Sequence, residues 1–300
     1  MFSYSAYGFN VLSGMQLPRL MTAEGDGCDI RVLVNPPLSP AKELEEKTEE
    51  FRGTPARAFL TVKNVGHFEV TEGSEITVTP QPGVTEFILG LWIVERAFLP
   101  LLYQRGLLAL HASAVKVGDA SILLLGPSGF GKSSLAAGLH SRGYRFMSDD
   151  ITAVHPGKLE VLPGSPEMKL FPEMGSPLGY GEESLEAHPL LPQKRYYRRP
   201  HEFHSSALPL KAIYALSNGT EPKIELLQPQ EAVLELIRSS YGILSLQGII
   251  DSGIHFRQCS QIVKAVPSFR LNWFPSPSTL SAALEMIEES LRQRKNGMME

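Results

Sequence analysis

The stretch Gly126-Pro-Ser-Gly-Phe-Gly-Lys-Ser133 follows directly after the apolar run Ser121-Ile-Leu-Leu-Leu125. It matches the pattern G-x-x-x-x-G-K-[ST], whose glycines let the backbone curl until successive N–H groups point at one phosphate. In this pattern Lys132 reaches the outer phosphates, the Ser133 hydroxyl binds Mg²⁺, and the following helix adds the positive end of its dipole. The stretch therefore predicts a nucleotide-binding α/β domain. The residues expected to contact the nucleotide are Gly126, Pro127, Ser128, Gly129, Phe130, Gly131, Lys132, Ser133 and Ser134.

The composition is that of a globular chain with a weak overall charge. Its 300 residues are 43% hydrophobic, enough to bury one large core or two modest ones, and its formal net charge is -4. This charge argues against nucleic acid as a partner bound through the overall field of the protein. The cysteines Cys28 and Cys259 lie far apart and have no metal-ligand spacing. We therefore expect no disulfide framework, no zinc site and a cytoplasmic location.

The sequence predicts no membrane contact. Residues 1–7 contain no basic region followed by an apolar block, so a secretory signal is not expected. The most apolar stretch, Val84–Tyr103, carries charges at Glu86, Glu95 and Arg96. Because charges are costly inside a bilayer, this stretch is predicted to be a core helix rather than a membrane span.

The first part of the chain, residues 1–82, is predicted to form a small strand-rich N-terminal domain. Its charged run Lys42–Glu50 is interpreted as a solvated loop or a short helix. A linking apolar helix is predicted within residues 83–106, and residues 107–300 are predicted to form the P-loop catalytic domain. The strands predicted in the first domain are Ile30–Val34, Ala58–Val62, His67–Val70 and Ile76–Thr79.

The elements around the loop are predicted to form one strand–helix–strand crossover. Leu107–Val117 and Ser121–Leu125 have the pattern of strands joined by a tight hairpin at Gly118-Asp119. A helix over Ser133–Arg142 and a strand over Tyr144–Met147 follow the loop. The hairpin and the crossover together surround the phosphate-binding loop with strands.

The remainder of the chain begins with residues 163–209, which are rich in Pro and Gly and are predicted to be irregular. Their basic run 194–199 is interpreted either as a lid or grip for an acidic substrate or as a solvated loop. Later predicted elements are strands Ala212–Leu216, Ile224–Leu227 and Ser268–Phe274, helices Glu231–Tyr241 and 244–265, and a last helix from Ser276 with Leu280, Leu284, Ile287 and Leu291 on one face.

Two adjacent carboxylates end the strand after the loop helix. Asp149 and Asp150 lie seventeen and eighteen residues beyond Lys132. A right-handed crossover makes that strand parallel to the strand before the loop, so both carboxylates are expected near the phosphates. One can hold Mg²⁺ while the other accepts the proton of an attacking hydroxyl. Since adjacent strand residues point to opposite sides, the alternative is one active carboxylate and one structural carboxylate.

The hairpin register also predicts a position for His111. If Val117 pairs with Ala120, counting back along the strand brings His111 opposite Gly126. A histidine between apolar residues would ordinarily be a hydrogen-bonded core residue. Its predicted place beside the loop favours a role in charge stabilisation or proton transfer instead.

Three runs of the sequence together resemble a known family. Leu110-His-Ala-Ser-Ala-Val115, Gly126–Ser133 and Arg142-Gly-Tyr-Arg-Phe-Met-Ser-Asp-Asp150 look like the catalytic domain of HPr kinase/phosphorylase, the bacterial P-loop serine kinase. The resemblance implies an α/β fold with a P-loop HPr-kinase-like catalytic core and a smaller strand-rich N-terminal domain. It also implies ATP and Mg²⁺ as cofactors and, because that family assembles into rings, self-association as a homo-oligomer.

The resemblance further implies roles for individual residues. The carried-over roles are His111 as an active-site residue, Lys132 as phosphate clamp, Ser133 as Mg²⁺ ligand, Asp149 near the metal and Asp150 as the base. It also transfers a second metal-binding carboxylate to Glu167 and a late arginine to Arg195 or Arg198. The glycine-rich, arginine-containing signature of the family is absent, so the match does not extend to HPr as the substrate or to phosphorolysis.

The front end of the chain, with Tyr7-Gly-Phe9 and Leu17-Pro-Arg-Leu20, is similar to smaller HPr-kinase-like proteins. Some of those proteins phosphorylate a serine of a lasso-peptide precursor. The leading hypothesis is thus an ATP- and Mg²⁺-dependent kinase for a serine of a peptide or small protein. The alternatives are a kinase for a small molecule such as free serine, and an NTP-driven binding or regulatory module. No base-reading motif separates ATP from GTP, so ATP rests on the resemblance.

Overall fold

The structure is a computed structural model that describes residues 1–25, 27–36, 49–180, 185–187, 191, 193–198, 200–243 and 245–295. The charged run Lys42–Glu50 lies outside the described residues except for Glu49 and Glu50, and so does Arg199 of the basic run. The chain divides into two compact units. The first contains Met1–Ala109 and Ser240–Arg257, and the second contains Leu110–Ser239 and Gln258–Glu300. The sequence-based boundaries at 82 and 106 did not anticipate that residues 240–257 pack with the first unit.

The first unit is built on a sheet with the strand order β3-β1-β2-β4-β8-β7-β6-β5. Alternate side chains are buried, as in the β7–β8 pair, where Phe68 and Val70 face Val78 and Ile76. The four strands predicted from the sequence are confirmed as β4, β6, β7 and β8. The strands are β1 (Phe2–Ala6), β2 (Phe9–Ser13), β3 (Met21–Thr22), β4 (Ile30–Val34), β5 (Glu49–Gly53), β6 (Arg57–Val62), β7 (Gly66–Thr71) and β8 (Glu75–Pro80).

The apolar stretch after the sheet is helical but is not one regular helix. Helix α1 (Glu86–Trp92) passes into a π-helical segment, Ile93–Ala97, and then into helix α2 (Phe98–Gln104). The predicted single helix over Val84–Gln104 is therefore wrong in its middle. The π-helical segment ends three residues before Pro100, whose ring and missing N–H interrupt a regular α-helical hydrogen-bond ladder. Of the described helices, none is both long and apolar enough to span a membrane.

The second unit contains a mixed sheet with the order β10-β9-β12-β13-β17-β19-β18. The β9–β10 hairpin has the predicted register, from Val117 opposite Ala120 to Ala112 opposite Leu125. β11 pairs antiparallel with β9, so it runs parallel to β10 with β9 between them. The strands are β9 (Leu108–Val117), β10 (Ala120–Leu125), β11 (Phe146–Ser148), β12 (Ile151–His155), β13 (Glu160–Leu162), β17 (Leu208–Asn218), β18 (Lys223–Leu226) and β19 (Ser268–Trp273).

The helices of this part of the chain include the loop helix α3, which packs against the last helix, α7. Gly138 allows the close approach, because a Cβ there would lie only 2.7 Å from Leu284. The predicted apolar face of α7 is confirmed, since Leu280, Leu284, Ile287 and Leu291 are buried. The helix predicted over 244–265 begins only at Ser252. The helices are α3 (Lys132–Ser141), α4 (Pro172–Gly175), α5 (Pro229–Ser239), α6 (Ser252–Ala265) and α7 (Pro277–Lys295).

A small antiparallel sheet lies within the region predicted to be irregular. It has the order β14-β16-β15 and consists of β14 (Glu167–Leu170), β15 (Leu185–Ala187) and β16 (Arg195–Arg198). The prediction for residues 163–209 is corrected accordingly. The strands escaped detection because they are three or four residues long and pair across long Pro- and Gly-containing connections, which leave no local periodic pattern.

Candidate active site

The phosphate-binding loop leaves the end of β10 and leads into α3. Gly126, Gly129 and Gly131 all have positive φ, at 144°, 85° and 87°. At Gly131 a Cβ would also overlap the ring of Trp273, whose Nε1 donates a 3.0 Å hydrogen bond to the Phe130 carbonyl. Trp273 of β19 therefore packs against the loop, and its ring leaves no room for a side chain at position 131.

Lys132 is buried inside the curl of this loop. Its Nζ donates hydrogen bonds to the carbonyls of Gly126 at 2.7 Å and Pro127 at 3.0 Å. Burial lowers the pKa of Lys132 to about 8, and the charges of Asp149 and Asp150 oppose that shift. The ammonium group of Lys132 therefore stays protonated at pH 7. It lies where the motif is expected to bring it to a phosphate.

Asp149 is a buried carboxylate that ties three segments together. Its Oδ1 accepts hydrogen bonds from Ser133 Oγ at 2.9 Å and from Ser113 Oγ at 2.5 Å. Its Oδ2 accepts the backbone N–H of Lys169 at 2.8 Å. The carboxylate of Asp149 is thus fixed directly beside the hydroxyl that the motif assigns to Mg²⁺.

The donor set suits Mg²⁺ rather than a metal held by the protein alone. Within the described parts of the chain, no group of three or more His, Cys, Asp or Glu side chains could hold a metal ion. Ser133 and Asp149 instead offer a hydroxyl and a carboxylate oxygen. Mg²⁺ in nucleotide sites typically takes one or two such protein ligands and completes its octahedron with phosphate oxygens and water.

Asp150 follows in the turn between β11 and β12, with φ at 71°. Its Oδ2 accepts a 2.7 Å hydrogen bond from Lys169 Nζ, and its Oδ1 lies 3.4 Å from His111 Nε2. The left-handed backbone breaks the strand alternation, so Asp149 and Asp150 both face the same cavity. Of the two alternatives for the pair, this geometry permits both carboxylates to act.

His111 lies on β9 one residue beyond the last described pair of the hairpin, Ala112 with Leu125. Its position beside the loop agrees with the register prediction. Burial lowers the pKa of His111 to about 4, helped by the charge of Lys132 and opposed by Asp150 and Asp149. With these neighbours the imidazole is neutral at pH 7.

These residues share a cavity of about 410 Å³. The loop supplies one wall, and β14, α4 and the turn before α7 supply the others. The lining residues are His111, Ser128, Gly129, Gly131, Lys132, Ser133, Ser134, Asp149, Asp150, Lys169, Phe171, Glu173, Met174, Lys194, Pro275, Ser276 and Pro277.

Several residues singled out from the sequence lie elsewhere. Glu167 is on β14 opposite Arg198 and is not among the described residues that line the cavity; Glu173 is the glutamate that lines it. Arg195 and Arg198 are likewise not among the lining residues. Among the described residues of the basic run 194–199, the one that lines the cavity is Lys194. Gly126, Pro127 and Phe130 contribute through their carbonyls, which hold Lys132 and Trp273.

Sequence reasoning missed Ser113 and Lys169. Ser113 follows His111 by two residues on the same strand, and strand alternation alone would have brought both to one face. Lys169 had no comparable signal, because its contacts with the aspartates depend on the small sheet formed by β14 and β16.

The fold and this cavity define an α/β protein with an aspartate pair beside a glycine-rich loop of the pattern G-x-x-x-x-G-K-[ST]. Residues 106–174 match the family model of the HPr Serine kinase C-terminal domain, a segment that includes the loop, both aspartates and β14. This segment is therefore similar to that domain, and the predicted α/β, HPr-kinase-like fold class is confirmed.

The comparison with solved structures gave a match described as the structure of the Hpr(Ser) kinase/phosphatase from Coxiella burnetii. The two are 11% identical, the match covers 63% of this chain and 93% of that chain, and its TM-score is 0.33. The comparison with curated proteins found no match.

Proposed function

We propose that this protein is an ATP- and Mg²⁺-dependent kinase that transfers the γ-phosphoryl group to a serine hydroxyl of a peptide or small protein. The observation that carries the proposal is the position of the Asp150 carboxylate, which faces the same cavity as Lys132 of the phosphate-binding loop. A nucleotide-binding module needs the loop alone. A second carboxylate at the phosphates is what a reaction with a hydroxyl acceptor requires.

The nucleotide would be held by the loop and by Lys132. The loop N–H groups and the N-terminus of α3 favour phosphate oxygens, and Lys132 exchanges its bonds with the Gly126 and Pro127 carbonyls for bonds to phosphate. Ser133 and Asp149 would hold Mg²⁺, which supplies charge neutralisation on the phosphates when it is bound. Ser113 and the backbone of Lys169 keep Asp149 oriented for that task.

In the transfer step, Asp150 accepts the proton of the serine hydroxyl. The serine oxygen forms a bond to the γ-phosphorus, and the bond between that phosphorus and the bridging oxygen breaks to release ADP. Neutral His111 beside Asp150 adds no further positive charge to the carboxylate. Most of the rate enhancement comes from positioning and charge stabilisation, because phosphoryl transfer needs little covalent chemistry from the protein.

The nature of the acceptor is proposed on two grounds. The match to a serine kinase domain favours a serine hydroxyl. The strand-rich first unit favours a peptide or small protein, for which a recognition element is useful. A lasso-peptide precursor is the first candidate to test, because the front of the chain is similar to kinases of that type.

The test is mass spectrometry of candidate serine-containing peptides after incubation with Mg-ATP. A gain of one phosphate on a serine is expected with the wild-type protein and with Asp119→Asn, a matched change of an exposed aspartate in the β9–β10 hairpin. Asp150→Asn should bind nucleotide and transfer phosphate at least about a hundredfold more slowly than the wild type. Consumption of ATP by the wild type without any phosphorylated acceptor would contradict the kinase and favour a regulatory NTPase.

A further inference from the structure

Lys169 contacts both members of the aspartate pair. Its backbone N–H donates to Asp149 Oδ2 at 2.8 Å, and its side-chain Nζ donates to Asp150 Oδ2 at 2.7 Å. Its side chain is 12% exposed and lines the cavity. Lys169 thus binds Asp149, the proposed metal ligand, through its main chain and Asp150, the proposed base, through its charged side chain.

The small sheet explains how Lys169 reaches the aspartates. On β14, Lys169 lies opposite Tyr196 of β16, and its Nζ is 5.9 Å from the centre of the Tyr196 ring. Tyr196 is 3% exposed. A long lysine side chain has many rotamers, and packing against a buried ring restricts them, so the ammonium is held in one direction before any substrate arrives.

We propose that Lys169 is a positioning residue for Asp150, an inference that rests on the proposed function. The ammonium holds Oδ2 with a charged hydrogen bond while Oδ1 lies 3.4 Å from His111 Nε2, so the plane of the carboxylate is fixed with Oδ1 presented to the acceptor hydroxyl in the cavity that both residues line. Oδ1 is the oxygen that takes the serine proton as the bond from serine oxygen to the γ-phosphorus forms and ADP leaves. Without Lys169 the charged hydrogen bond at Oδ2 is lost, the carboxylate is held less firmly in this plane, and fewer encounters with the acceptor are productive.

The alternative role for Lys169 is a purely structural bridge between β14 and the turn after β11. In the structural role the ammonium contributes only to the stability of the fold, whereas in the positioning role it also orients the Asp150 carboxylate for the reaction. Lys169→Met keeps the backbone hydrogen bond to Asp149 and most of the packing against Tyr196, and it removes only the ammonium. A structural bridge would then show its loss in stability, and a positioning residue would show it in the turnover rate.

The experiment measures kcat, KM for ATP and the nucleotide Kd of Lys169→Met with a phosphorylatable peptide. We expect kcat to fall by at least about tenfold, a modest part of what general-base catalysis contributes, with KM for ATP and Kd within about threefold of wild type. Lys169→Arg should recover most of the rate because a guanidinium also binds a carboxylate. Lys158→Met, an exposed lysine in the turn after β12, is the matched control and should behave as wild type.

A double-mutant cycle identifies the partner. In an Asp150→Asn background, Lys169→Met should have little further effect on the residual rate, because the group through which it acts is already gone. Equal effects in both backgrounds, an unchanged kcat in Lys169→Met, or a loss of nucleotide binding in that variant would each overturn the proposal. If the wild type transfers phosphate and Lys169→Met matches it, only this inference fails; if the wild type transfers none, the proposed function fails as well.

Discussion

Ser133 Oγ donates a 2.9 Å hydrogen bond to Asp149 Oδ1, which joins the first turn of α3 to the end of β11. The two residues are sixteen positions apart, and the parallel arrangement of β10 and β11 brings their ends together. A hydroxyl and a carboxylate so close offer neighbouring oxygens to a hard cation that also binds phosphate.

This pair predicts a metal-dependent loss of nucleotide affinity. Asp149→Asn should weaken binding of ATP in the presence of Mg²⁺ by at least about tenfold, as for other losses around a metal site, because a neutral amide is a poorer ligand. Binding of ATP without Mg²⁺ should change little. Isothermal titration calorimetry with Mg²⁺ and with EDTA measures both. Equal losses under the two conditions would argue against Asp149 as a metal ligand.

Gly131 should be far less tolerant of alanine than another glycine with positive φ. Gly131→Ala strains the backbone and also overlaps the Trp273 ring, whereas a methyl group at Gly118, at φ 59°, would meet no other atom within 4 Å. Overpacking typically costs about 1–3 kcal/mol, so Gly131→Ala should be less stable than Gly118→Ala by about that amount. Urea denaturation of the two variants gives the difference directly. Equal stabilities would mean that the Trp273 contact does not restrict the loop.

The left-handed backbone of Asp150 predicts a reversal of the usual order of alanine and glycine. Both Asp150→Ala and Asp150→Gly remove the carboxylate, but only glycine adopts φ near 71° without strain. Asp150→Gly should therefore be more stable than Asp150→Ala by about 1 kcal/mol, the usual cost of this conformation for an L-residue. The midpoints of urea unfolding test the order. A more stable alanine variant would contradict the backbone geometry.

The lowered pKa of His111 predicts a loss of stability in acid. In the folded protein this pKa is about 4, against 6.5 in the reference state, so between these values the unfolded chain binds a proton that the folded protein does not. The contribution of His111 is therefore fully favourable above pH 6.5 and is lost as the pH falls towards 4.

His111→Gln should accordingly lose less stability between pH 7 and pH 5 than the wild type. Other groups titrate in this range in both proteins, so the difference between the two isolates His111. His201→Gln, a change of an exposed histidine, is the control and should follow the wild type. Chemical denaturation at the two pH values measures the effect. Parallel losses in wild type and His111→Gln would show that burial does not shift this histidine.

Local patterns predicted the part of the site built from neighbours in sequence. The Gly118-Asp119 turn determines the β9–β10 register because a two-residue loop leaves one way to pair the strands, and that register brings His111 beside the loop. The crossover rule similarly brought Asp149 to the edge of the sheet where the loop lies. The predicted apolar face of α7 is also local, since it follows from the helical period.

Local sequence patterns did not predict the wall of the cavity formed by β14 and α4. Glu167 was expected near the metal, yet the cavity is lined instead by Glu173 of α4 and by Lys169, which lies on β14 together with Glu167. Which of these side chains faces the aspartates depends on the pairing of β14 with β16 across about twenty-five intervening residues. Short strands with long connections carry no periodic signal, so the pairing is decided by tertiary packing.

The sequence by itself determined a glycine-rich loop, the hairpin before it, the helix after it and an aspartate pair at one sheet edge, because each follows from local geometry and chain connectivity. Only the tertiary structure decided that both aspartates face one cavity, that Trp273 supports Gly131, and that Lys169 holds Asp150. The physical reason is that these contacts join segments far apart in the chain. Their formation depends on the free energy of packing the whole unit rather than on the preferences of any single stretch.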